Sequence, residues 1–110
     1  MPQLNSPEDH EGKELIEQCY QHSIALLRRN AIPAGIMAST PTVRANKRHY
    51  IAVFGRDAAI CALGLIASKQ PDLITTAVNS LITLAKHQAP NGQIPKYVEP
   101  DTNETDFWYT

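Results

Sequence analysis

The reading of this chain turns on residues 49–60, HYIAVFGRDAAI. In an extended run, Tyr50, Ala52 and Phe54 share one face. Gly55 then lets the backbone turn or approach something closely. Arg56 and Asp57 follow at the mouth of an almost wholly apolar stretch. A guanidinium beside a carboxylate at a loop-to-helix junction offers fixed donors and acceptors for vicinal hydroxyls. A plainer reading stands next to it: Asp57 caps a helix beginning at Ala58, and Arg56 pairs with it at the surface.

On the C-terminal side, residues 58–68 carry hardly a polar side chain, the pattern of a helix buried all round. A turn over residues 69–72 leads into a second helix, with Pro71 and Asp72 suited to its start. Its apolar stripe is Leu73, Ile74, Ala77, Val78, Leu81, Ile82 and Ala85, with Thr75, Thr76, Asn79, Ser80 and Lys86 opposite. After Pro90-Asn91-Gly92 the chain reads as loop. It closes on Phe107, Trp108 and Tyr109, apolar area normally covered by other chain, which gives the expectation of a truncated domain.

On the N-terminal side, Ser6 and Pro7 announce a long first helix, with residues 1–7 read as a flexible N-terminus. Leu15, Ile16, Cys19, Tyr20, Ile24 and Leu27 recur at helical spacing, while Lys13, Glu14, Glu17 and Gln21 face away. Arg28-Arg29-Asn30, followed by Pro33 and Gly35, ends the helix. Residues 31–48 keep no period and read as a long connection beside Arg56 and Asp57, a setting in which loops are often functional.

Composition narrows the function classes. The chain has 110 residues, 43% apolar and 19% charged, with a net charge of −1. That balance gives no electrostatic reason to expect a nucleic-acid or anionic-membrane partner. The longest apolar run is far short of the roughly 20 residues a membrane span needs. The first residues are acidic and polar rather than basic and then apolar, so the expected location is cytoplasmic. Cys19 and Cys61 lack metal or redox spacing and are expected as buried, reduced thiols. His10, His22, His49 and His87 show no metal-ligand spacing, so neither metal nor cofactor is expected. Arg44, Lys47 and Arg48 read as a solvated loop.

The aromatic-x-Arg-Asp pattern formed by Phe54, Gly55, Arg56 and Asp57 resembles the signature of six-hairpin glycosidases, the group of glucoamylase-like enzymes, glycogen-debranching glucosidases and neutral invertases. Asn91-Gly92-Gln93-Ile94-Pro95 resembles the N-G-x-I-P loop of bacterial relatives, and Asp106 with Trp108 resembles the start of a further active-site segment. The resemblance spans roughly residues 15–110. It implies an all-α fold of α/α hairpins with long loops, one part of an (α/α)6 toroid. At roughly 11–12 residues per helix, a full toroid needs several times this length, so residues 1–110 are expected to be one partial domain.

The same resemblance implies a carbohydrate substrate bound by Arg56 and Asp57, with Tyr50 and Phe54 as an aromatic wall and Gln93, Asp106 and Trp108 as further contacts. For Phe54, core packing on the strand face is an equal alternative. Hydrolysis needs two carboxyl groups about 5–5.5 Å or about 6.5–9.5 Å apart. Glu99, Asp101, Glu104 and Asp106 read as solvated loop acids, so the catalytic pair is expected elsewhere in such an enzyme. Two functions follow: a glycoside hydrolase segment that supplies subsite contacts to an α-glucosidic or related bond, or a small helical binding module without catalysis. Uncovered apolar surface on short stacked hairpins gives a further expectation, self-association.

Overall fold

The structure, a computed structural model, describes residues 7–40, 42, 44 and 51–108. Its elements are helix α1 (Pro7–Asn30), strands β1 (Ala31–Ile32), β2 (Gly35–Ile36) and β3 (Val53–Phe54), helices α2 (Gly55–Ala67) and α3 (Pro71–Lys86), and strands β4 (Tyr97–Val98) and β5 (Thr105–Asp106). β1 and β2 form one antiparallel sheet, and β3, β4 and β5 form a second in that spatial order. The fold is therefore a small mixed α and β arrangement, which corrects the expected all-α toroid.

The physical reason lies in the segments read as loops. Asn30 ends α1 at a point where the chain must reverse. Its carbonyl accepts from Met37 N–H at 2.9 Å and its side-chain oxygen accepts from the Thr40 hydroxyl at 2.7 Å. With Asn30 so held, residues 31–36 fold into a hairpin, and Gly35 takes a φ of +139°, which a side chain resists. In the second sheet Val53 pairs with Val98 and Phe54 with Tyr97, β-branched and aromatic residues that favour strands. Two-residue strands are too short to show a period of two, so the sequence pattern could not announce them.

Helices α2 and α3 are joined by a turn over residues 68–70, with Lys69 at a φ of 59°, and pack on one another and on the first hairpin. The core gathers Leu65 and Ala62 of α2, Leu73 and Ala77 of α3, Val53 and Val98 of the sheet, and Ile24 and Ile36. Only the last turns of α1 join it. Leu15 and Ile16 on its expected apolar stripe are exposed, as is Cys19, which corrects the expectation of a buried thiol. Arg28 ties α1 to the start of α3 through Asp72 Oδ2 at 2.8 Å and Gln70 Oε1 at 2.9 Å. That hydrogen bond holds the Arg28 guanidinium above, and the Asp72 carboxyl below, its ordinary pKa.

Two helix faces differ from their sequence reading. In α2, Gly55, Ala58, Ala62 and Leu65 are buried. Ile60 and Leu63 are 70% and 72% exposed, so the helix is not covered all round. In α3 the buried set is Leu73, Thr76, Ala77, Ser80 and Leu84, whereas Val78, Leu81 and Ile82 are exposed. Small hydroxyl residues can line the packed face because each bonds within the helix: Thr76 donates to the Asp72 carbonyl at 3.1 Å and Ser80 to the Thr76 carbonyl at 2.9 Å. Their size admits the first hairpin where a leucine would not.

Candidate functional site

The start of α2 is placed by the second sheet. β3 delivers Phe54 as the helix N-cap residue in extended geometry, with no side-chain capping bond. Gly55 N–H donates to the Lys96 carbonyl at 2.9 Å. A Cβ on Gly55 would collide with the Pro95 carbonyl oxygen, so the close approach expected of this glycine is real and its partner is backbone. Lys96 N–H donates to the Asp106 carbonyl at 2.6 Å. Helix start, Lys96 and β5 are thus joined through main-chain bonds, which no side-chain motion breaks.

On this base Phe54, Arg56, Asp57, Lys96 and Trp108 line one depression of about 170 Å³. Arg56 Cζ and Lys96 Nζ each lie 4.5 Å from the centroid of the Trp108 ring. Cation–π attraction of this kind contributes about 0.5–1 kcal/mol at an exposed site. Trp108 keeps 51% of its surface exposed. Phe54 stands against Tyr97, ring centroids 5.6 Å apart at 42°. Phe54 and Asp57 also border a second depression of about 250 Å³ on the side of Ile36, Met37 and Cys61. Burial, followed by the nearby Asp57 carboxylate, raises the Cys61 thiol above its ordinary pKa.

Four of the residues expected at the site, Phe54, Arg56, Asp57 and Trp108, come together here. Asp57 lies inside the first turn of α2, because the helix begins at Gly55 rather than at Ala58 and Phe54 holds the N-cap position. Among the described residues Arg56 and Asp57 form no ion pair with each other. The two residues are therefore not paired with each other, and Asp57 keeps the place of an acid in the first turn of a helix. Gln93 borders neither depression: its N–H donates to Asn91 Oδ1 at 3.0 Å and its carbonyl accepts from Ala89, bonds that brace the turn. The Asp106 carboxylate accepts from Phe107 N–H at 2.9 Å, and only its backbone reaches toward the site. Tyr50 lies outside the described residues.

Lys96 is the residue that sequence reasoning missed. Nothing in its neighbours marks it, and only the pairing of β3 with β4 carries it to the start of α2. Glu99, Asp101, Glu104 and Asp106 lie on the β4–β5 hairpin; Asp101, Glu104 and Asp106 are exposed, and none borders either depression. Among the described residues no group of three His, Cys, Asp or Glu side chains is placed to hold a metal ion, and no helix is long and apolar enough to cross a membrane. Compared with protein-family models, curated proteins and solved structures, the chain matches none.

Proposed function

We propose that this chain supplies sugar-subsite contacts in a cytoplasmic glycoside hydrolase acting on an α-glucosidic or related bond. The reading is supported by one observation above all: a guanidinium, a carboxylate and an indole border the same small depression at the rigid start of a helix. Arg56 offers donors and Asp57 acceptors to neighbouring hydroxyls, and the exposed part of Trp108 offers an aromatic surface to the apolar face of a sugar. The acid and base of hydrolysis are not assigned to this chain, so it binds without turning over. Trp108 is the single tryptophan, and its fluorescence reports binding directly. Addition of glucose or maltose should change the emission saturably, and Arg56→Ala should weaken that response about tenfold or more. An emission that is unchanged up to molar sugar would overturn the reading.

A second reading, a non-catalytic module that associates with its own copy, is favoured by a different feature. Leu63 and Ile66 of α2 and Val78 and Leu81 of α3 are exposed, none of them charged. Ala59, Leu81 and Ala85 line the same groove of about 460 Å³ together with Ile94 and Trp108, so the apolar stripes of the two helices adjoin. Two such faces brought together bury on the order of 1,000 Å², the lower end for a specific interface. Light scattering after size exclusion should give a dimer that Leu63→Glu converts to monomer. A wild-type monomer at high micromolar concentration would exclude this second reading.

A further inference from the structure

We propose that the sugar recognised at the Arg56–Trp108 site is an acidic one, carrying a carboxylate or a phosphate, and that Lys96 together with Arg56 holds the anionic group. The inference rests on the sugar-binding reading above and names its substrate class. Arg56 and Lys96 lie over the same indole, each 4.5 Å from its centroid, so their charges are separated by no more than twice that distance. Like charges held so near repel. No carboxylate neutralises either of them by an ion pair among the described residues, where the recorded pair is Arg28 with Asp72. Among the described residues that line the depression, Arg56 and Lys96 are cationic and Asp57 is acidic, so this lining carries one more positive than negative side chain.

A neutral hexose offers hydroxyls to these donors but no opposite charge. An anionic substituent satisfies both, and a guanidinium fork matches the planar oxygens of a carboxylate or two oxygens of a phosphate. Position is as informative as charge. Lys96 is fixed at its backbone on both sides, its N–H on the Asp106 carbonyl and its carbonyl on Gly55 N–H, next to buried Pro95. The depression of about 170 Å³ has the scale of one sugar ring, so the anion and the ring hydroxyls must share it.

The test compares glucose, glucuronate, glucose 6-phosphate and inorganic phosphate by Trp108 fluorescence and by titration calorimetry. The expected result is that at least one acidic sugar binds about tenfold tighter than glucose. This preference should shrink in high salt. In Lys96→Gln the ratio of acidic to neutral affinity should fall to near one, while Lys96→Arg keeps it; circular dichroism confirms that both variants fold. Whether glucuronate or glucose 6-phosphate is preferred identifies the anion. Equal binding of glucose and both acidic sugars, or a preference that survives Lys96→Gln, would overturn the inference while leaving sugar binding intact. Inorganic phosphate binding as tightly as the phosphorylated sugar would also overturn it. Absence of binding by all four would instead bring down the sugar-binding reading itself.

Discussion

Gly35 packs directly on Ser80. A Cβ at position 35 would lie 2.6 Å from the Ser80 Cα, and the Ser80 hydroxyl accepts from the neighbouring Ile36 N–H at 2.9 Å. The contact joins the first hairpin to α3, with both backbone atoms and a fully buried hydroxyl committed to it. Gly35→Ala meets backbone rather than a yielding side chain and also a positive φ, so a loss of about 2–4 kcal/mol is expected in denaturant unfolding. Ser80→Ala leaves the Ile36 N–H buried and unpaired and should cost about 1–3 kcal/mol. A Gly35→Ala protein as stable as wild type would show that the hairpin does not seat on α3 in this way.

Gly55 makes the corresponding contact at the site, against the Pro95 carbonyl. Gly55→Ala must push the segment between α3 and β4 away from the start of α2, which separates Arg56 from Lys96 and Trp108. Stability should fall by about 1–3 kcal/mol. Emission from Trp108 should shift as its two cations leave the ring. Unchanged emission and stability would mean that the close approach is absent.

The two thiols should differ in reactivity. Cys19 is exposed on α1, whereas Cys61 is partly covered, and burial together with Asp57 raises its pKa. Thiolate is the reactive form, so a disulfide reagent at neutral pH should modify Cys19 first and Cys61 several-fold more slowly. Asp57→Asn removes one of the two causes and should speed Cys61. Equal rates at both cysteines would place Cys61 in the open.

Tyr97 gives one alkaline component of the pH dependence. Its burial, followed by the nearby carboxylates of Glu104, Asp106 and Glu99, raises its phenol above the ordinary value of 10.0. The folded state therefore holds this proton more tightly than the unfolded one. The resulting stabilisation is fully present below pH 10 and is lost as pH rises through the higher folded value. An absorbance titration of phenolate should show a component that ionises above the ordinary value, and Tyr97→Phe should remove it. A late component that persists in Tyr97→Phe would assign it elsewhere.

What could be read beforehand follows the range of each interaction. The start of α1 at Pro7 and the existence of α2 and α3 come from local signals, a proline at the first turn and apolar spacing over three or more turns. The short strands depend on partners far along the chain: Val53 meets Val98 and Phe54 meets Tyr97, pairings no local pattern contains. The same distance hides Lys96. On α3 the apolar spacing places Leu73 and Ala77 inside, as they are, but it also points to Val78, Leu81 and Ile82, which are exposed. Thr76 and Ser80 pack inward because the hairpin needs small residues there. Arg56 and Asp57 stand out through their chemistry at a helix start, whereas Trp108 and Gln93 enter through the family resemblance alone, and Gln93 serves a turn.

The claim that Arg56, Asp57 and Trp108 form a sugar-binding site is tested most directly by calorimetric titration of maltose into wild type, Asp57→Asn and Arg56→Ala, with thermal unfolding recorded for each. The expected result is saturable binding to wild type, weakened about tenfold or more in both variants, with Tm unchanged in Asp57→Asn and lowered by no more than a few degrees in Arg56→Ala, which loses its contact with the Trp108 ring. Binding of equal strength in all three proteins, or no binding heat from wild type, would contradict it.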